Sequence, residues 1–191
     1  MQTARRAATE ARRAQIAQAT IAVLARRGYA ATTFEAICEH AGLSSKRLIS
    51  YHFSTKDELL AAVVRKVIED AAAFMRPALD AAGGVRDLLQ AYIRSNVAFV
   101  AAHPDHVRAV QQIALNAAAA GGQEADEGVA RLVAMFDDGQ RTGAFRAFDS
   151  TIMAATVRAA LDVVAERLVR GLDPELCADE LAETFDRATR P

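Results

Sequence analysis

The sequence predicts an all-α protein of about nine helices, a short N-terminal three-helix unit followed by a longer helical bundle. Three observations carry this. Alanine is abundant while glycine (10) and proline (4) are few among 191 residues, a composition that favours helices over sheets. Apolar residues recur at spacings of three and four along most of the chain, and no stretch alternates as a half-buried strand would. Capping pairs, glycines and prolines interrupt that pattern where helices should start and stop. With 52 % hydrophobic and 25 % charged residues and no uninterrupted apolar run of about 18, the chain reads as soluble and globular, without a membrane partner. Only Cys38 and Cys177 are present and no apolar signal segment follows Met1, so a reducing cytoplasm is expected and a disulfide scaffold is not.

The elements follow in order. Ile16, Thr20, Val23 and Leu24 mark one face of a helix from Thr9 to Arg27, ended by Gly28. Thr32 and Glu35 form a capping box for a short helix from Thr33 to Ala41, which Gly42 breaks. Leu43 fills the turn, and a third short helix runs from Ser45 to Ser50 toward Tyr51-His52-Phe53. A second capping box, Thr55 with Glu58, opens a long helix through Leu59, Val63 and Val67 to Phe74 and Met75, which Pro77 should kink or end. Beyond Gly83-Gly84 lie a helix from Val85 to near His103, one from Pro104 to about Ala118, a loop at Gly121-Gly122 and a helix through Val129, Leu132, Val133 and Phe136. A loop from Gly139 to Phe148 precedes a helix from Ser150 to Arg170, apolar on more than one side, and a last helix from Pro174 to Arg187.

Charge divides the chain. Residues 1–56 hold nine basic side chains against three acidic ones, a net +6, while the remainder carries −7. A positive head on an acidic body suggests a polyanion-binding module joined to a body that binds something else. A short helix, a glycine turn and a second short helix bearing Lys46 and Arg47 is the sequence form of a helix-turn-helix, whose second helix enters the major groove of DNA.

Gly28, Thr32-Thr33, Ile37, Ala41-Gly42-Leu43-Ser44, Leu48, His52-Phe53, Lys56 and Leu59 together resemble the DNA-binding signature of the TetR (tetracycline-repressor-like) transcriptional regulators. The stretch Gly139-Gln140-Arg141-Thr142-Gly143-Ala144-Phe145-Arg146 is similar to that family's loop before its eighth helix. The resemblance implies a helix-turn-helix domain over residues 1–55 and an effector-binding and dimerisation domain over 56–191. It implies a homodimeric regulator, most often a repressor, released from a palindromic double-stranded operator by a small-molecule effector. A helical small-molecule sensor that does not bind DNA is the rival.

Candidate DNA contacts follow from geometry and resemblance together. Lys46 and Arg47, early in the second helix, can reach base edges, with Ser44 and Ser45 beside them. Tyr51, His52 and Lys56 suit phosphates, as does Thr33 at a helix N-terminus. Arg5 and Arg6 precede the first patterned helix and suit a flexible minor-groove arm. In the body, polar groups among apolar helices suggest a cavity lined by Phe74, Tyr92, Asn96, Phe99, His103, Gln111, Met135, Phe136 and Phe145. Leu161, Val164 and Leu168 with Leu181 and Phe185 are expected to build a four-helix dimer interface, and the long helix from Lys56 to Met75 to act as a lever between effector and DNA.

Other residues read as structural. Cys38 and Cys177 look like packed thiols and Asp137-Asp138 like a solvated pair. His103-Pro104-Asp105-His106 resembles a metal site only loosely, because Pro104 puts the two imidazoles on successive helices. With no Ser/His/Asp arrangement, Gly-rich phosphate loop or Walker motif, neither an enzyme nor a metal or other cofactor is expected.

Overall fold

The computed structural model describes residues 2–43, 45–116 and 122–191, and nine helices, with no strand, run through them. They are α1 (Gln2–Arg27), α2 (Phe34–Ala41), α3 (Lys46–His52), α4 (Lys56–Asp80), α5 (Val85–Ala102), α6 (Pro104–Asn116), α7 (Gly122–Arg141), α8 (Ser150–Leu168) and α9 (Pro174–Thr189). Two compact units contain them, one of Met1–Asp70 with Asp105–Gly121 and one of Ala71–Pro104 with Gly122–Pro191. Among the described residues no helix is long and apolar enough to cross a membrane.

In the first unit the expected face of α1 is buried throughout, and Thr20 stays satisfied there because its hydroxyl donates to the Ile16 carbonyl at 2.8 Å. Ile16, Ala19 and Val23 of α1, Ala36 and Ile37 of α2, Ile49 of α3, and Phe53 form one apolar cluster. Leu59 completes it, so the head's core runs past residue 55 into the first turn of α4. In the same unit His106 Nε2 lies 3.1 Å from Asp70 Oδ2, and Lys66 Nζ donates to the same carboxylate. Burial acts to raise the Asp70 carboxyl, but the hydrogen bonds and charges of Lys66 and His106 outweigh it and hold the group below its ordinary range.

The first helix differs from expectation. It begins at Gln2 rather than near Thr9, so Arg5 and Arg6 are exposed on a helix instead of forming a flexible arm. The Ala- and Arg-rich stretch before Thr9 contains no glycine or proline, and both residue types favour helix.

In the second unit α5 packs on α7, α8 and α9, and α8 packs on α7 and α9. Leu89, Ile93 and Val97 of α5, Leu132 and Phe136 of α7, Val157 and Leu161 of α8, and Cys177 and Phe185 of α9 share its core with Phe145. Polar ties run along the α5–α9 seam: Arg86 pairs with Asp186 at 2.5 Å, Gln90 Nε2 donates to the Ala182 carbonyl at 2.8 Å, and Arg94 pairs with Asp179. Pro77 neither ends nor interrupts α4, which continues to Asp80. Gly139, expected in a loop, lies inside α7. The chain folds back over it: the Phe145 N–H donates to the Gly139 carbonyl at 3.0 Å, and a Cβ at 139 would overlap the Phe145 ring. Phe136, Phe145 and Phe148 then pack edge to face or tilted, with centroids 5.4–6.3 Å apart. The loop expected at Gly121-Gly122 and the end of α6 near Ala118 fall partly outside the described residues; Gly122 opens α7.

Candidate nucleic-acid interface

Local chemistry shapes the two short helices. Thr33 has extended backbone and its hydroxyl oxygen accepts from the Ala36 N–H at 3.2 Å, an N-cap worth about 1 kcal/mol. At the other end Gly42 takes the left-handed conformation (φ 61°). The Leu43 N–H reaches back to the Cys38 carbonyl at 3.0 Å and closes the turn, a geometry that a side chain at 42 would strain. Ser45 caps α3, its Oγ accepting from the Arg47 N–H at 3.1 Å.

Orientation of α3 follows from what it buries. Ile49 has no exposed surface and belongs to the head's core, as does Phe53 just beyond the helix. Lys46, Arg47, Ser50 and Tyr51 are therefore turned outward, and Tyr51 is 76 % exposed. Ser50 joins this face although sequence reasoning did not single it out; its spacing from Lys46 is the signal that would have found it.

The end of α3 is held by a cation. Arg13 of α1 donates to the His52 carbonyl, lies 4.1 Å over the Phe53 ring and pairs with Glu58 of α4 at 3.0 Å. Glu58 in turn donates its own N–H to Thr55 Oγ1 at 3.1 Å, the expected cap, while its carboxylate accepts from the Ser54 N–H at 2.8 Å, one residue before the N-cap that a capping box would use. The Ser54 N–H first, and then Arg13, hold the Glu58 carboxyl below its usual range. Burial, then Arg13 and Arg12, lowers the His52 imidazole, which favours its neutral form. Nothing in sequence spacing linked Arg13 to Glu58.

Lys56 is held as well. Its ammonium donates to the Tyr29 carbonyl at 3.1 Å and sits 3.9 Å over the Tyr29 ring, while the Tyr29 N–H donates to Gln112 Oε1 of α6 at 3.1 Å. Lys46 Nζ pairs with Glu35 Oε1 at 2.7 Å. Arg47 carries no ion pair among the described residues. Ala30, Thr32, Thr33, Phe34, Glu35, Lys46, Ser50 and Lys56 together line an open concavity of ≈ 420 Å³.

The candidate DNA residues thus gather unequally. Thr33, Lys46 and Lys56 share the concavity, with Arg47 and Tyr51 on the exposed face of α3. Thr33 departs from expectation in one respect: its N–H already donates to the Ala31 carbonyl at 3.1 Å, leaving only the hydroxyl proton to offer. Ser45 has its oxygen engaged as a cap, and Ser44 lies outside the described residues.

Candidate cavity residues in the body do not form one group. Phe74, Phe99 and His103 pack on one another with ring centroids 4.8–5.7 Å apart. Tyr92, Asn96 and Met135 are half-buried in the same unit, and Gln111 belongs to the other. Phe136 and Phe145, expected in a cavity wall, are instead engaged in the packed aromatic core. Of the expected interface residues, Leu161 (2 % exposed) and Phe185 (6 %) are likewise buried in the chain's own core. Val164, Leu168 and Leu181 are half-buried against it. The exposed apolar side chains of α8 are Ile152 (67 %) and Val163 (55 %), with Leu176 exposed on α9. No group of three His, Cys, Asp or Glu side chains among the described residues could hold a metal.

Residues 16–63 match the family model for bacterial regulatory proteins of the tetR family. The chain is similar to a protein assigned as a TetR-family transcriptional regulator from Rhodococcus sp., at 22 % identity and TM-score 0.80, over 92 % of this chain and 97 % of that one. It is similar also to a protein assigned as a transcriptional regulator from Pseudomonas aeruginosa PAO1, at 26 % identity and TM-score 0.74, over 95 % of each chain. A third similar structure, assigned as a transcriptional regulator from Saccharomonospora viridis and solved in complex with choline, shares 21 % identity at TM-score 0.76 over 95 % of this chain and 98 % of that one. No curated protein matches the sequence. Residues 16–63 thus carry a helix-turn-helix of the tetR-family type, and the chain as a whole shares the nine-helix fold of these structures.

Proposed function

We propose that this protein is a ligand-responsive repressor that binds a pseudo-palindromic operator as a homodimer and leaves it when a small apolar or amphipathic molecule binds the C-terminal unit. One observation carries the DNA half of this reading: Ile49 and Phe53 lock one side of α3 into the head, turning Lys46, Arg47, Ser50 and Tyr51 outward together. In this reading residues 1–55 are the DNA-binding domain and 56–191 serve the effector and the dimer. Arg47 and Lys46 read base edges, the planar Arg47 fork suiting guanine O6 and N7. Tyr51, His52, Lys56 and the Thr33 hydroxyl hold phosphates, and Arg5 and Arg6 add charge from the first turns of α1.

Separating the two roles tests it. Arg47→Ala is expected to relax sequence preference among duplexes selected from a random pool. Lys56→Ala should weaken binding to all duplexes alike and lower the salt slope by about one. Because Lys56 also holds Tyr29, thermal unfolding without DNA is followed in parallel. If Arg47→Ala leaves the preference untouched while Lys56→Ala changes it, the assignment of α3 as the reading helix is wrong.

For the dimer, Ile152 and Val163 on the outer face of α8 take the place of Leu161 and Phe185. Val163→Glu is expected to yield monomers at micromolar concentration with helix content intact and operator affinity reduced at least tenfold, by sedimentation and circular dichroism. A variant that stays dimeric moves the interface off this face. For the effector, choline bound to the Saccharomonospora protein supports a small-molecule site in this fold. Phe74, Tyr92, Asn96, Phe99, His103 and Met135 are the candidates that remain for lining it.

A further inference from the structure

One carboxylate stands among the candidate DNA contacts. Glu35, in the first turn of α2, lines the same concavity as Thr33, Lys46, Ser50 and Lys56, and its side chain is mostly exposed. Its Oε1 lies 2.7 Å from Lys46 Nζ, one of the two cations best placed to reach a base edge. A negative charge on a surface built to meet phosphates opposes binding, and an acid-free surface would bind DNA more tightly.

We propose that Glu35 is a specificity-determining residue that holds Lys46 away from phosphates, so that Lys46 leaves the pair only for an acceptor on a base edge. The inference rests on the DNA-binding reading above. A Lys–Glu pair this exposed is weak, so an acceptor in the right place displaces it. A phosphate does so poorly, because Glu35 remains beside the ammonium and repels the incoming anion. Guanine O6 and N7 offer neutral acceptors deep in the groove, where Lys46 can bond without bringing a phosphate against the carboxylate. Glu35 thus withdraws one cation from sequence-independent binding and reserves it for readout. The hydrogen bond from Lys46 holds the Glu35 carboxyl below its ordinary value.

The test is a double-mutant cycle on the full-length protein with Glu35→Gln, Lys46→Ala and the pair combined. Each is titrated by fluorescence anisotropy against a duplex selected by the wild type and against a scrambled duplex of equal composition, over a range of salt. Glu35→Gln is expected to tighten binding to the scrambled duplex about three- to tenfold and to steepen its salt slope by up to about 0.9, the value of one more neutralised phosphate. The selected duplex gains less, so the ratio of the two affinities falls. In the Lys46→Ala background Glu35→Gln should leave the scrambled-duplex salt slope unchanged, which a general loss of negative charge would not do. If the wild type binds the selected duplex while Glu35→Gln preserves the affinity ratio, this inference fails and the DNA-binding reading stands. A wild type that binds neither duplex overturns both. Circular dichroism of each variant, compared at matched temperature, shows whether α2 still forms.

Discussion

Leu161→Glu is expected to unfold the second unit rather than to release intact protomers. Leu161 lies among the buried apolar side chains of α5, α7, α8 and α9, and Arg158, one turn before it on α8, is already paired with Asp162. An ionised group left unpaired in such a place costs several kcal/mol, and protonating it instead still leaves a polar group without partners. Total stability of a domain is about 5–15 kcal/mol, so one such change removes much of it. The variant should lose its cooperative thermal transition or accumulate as insoluble protein, in contrast to Val163→Glu, which touches only the outer face of the same helix. A Leu161→Glu protein that sediments as a monomer with wild-type helix content and melting temperature would mean that Leu161 faces a partner.

Phe53→Ala is expected to have the second-largest effect, confined to the head. The ring is fully buried, carries the Arg13 guanidinium on its face and ends the recognition helix, with its own N–H bonded to the Ile49 carbonyl at 2.8 Å. Truncating a buried phenylalanine costs about 3–5 kcal/mol through lost burial and the cavity left behind. The head's core is small, so little remains to hold α3 against α1 and α2. Amide exchange should rise sharply in α2 and α3 while α5 and α9 keep their protection, and duplex binding should be lost. Unchanged protection in α3, with wild-type DNA affinity, would show that Phe53 does not anchor that helix.

Much of this architecture was legible before any coordinates. The cap at Thr55 marked the start of α4 and the break at Gly42 the end of α2, because those signals are local and each has a specific backbone bond behind it; the cap expected at Thr32 falls instead on Thr33, while the Thr32 hydroxyl donates to the Gly28 carbonyl. What escaped was the choice of face and the long-range pairing. Helix α8 is apolar on more than one side, so periodicity alone could not tell that Leu161 turns inward and Val163 outward. Arg13, Phe53 and Glu58 meet only because three helices fold together, and no spacing encodes that contact. Of the candidate DNA residues, Lys46, Arg47 and Tyr51 could be named from the motif. The bonds that engage Lys46 with Glu35 and Lys56 with Tyr29 needed the fold.

Salt-dependent titration of a selected duplex tests the central claim most directly. A surface that neutralises several phosphates gives a linear fall of log K with log salt at about −0.9 per phosphate. The account predicts such a slope, several units steep, for the wild type and a slope about one unit shallower for Lys56→Ala. Absence of duplex binding at low salt, or binding indifferent to salt, would contradict it and leave a helical small-molecule binder in its place.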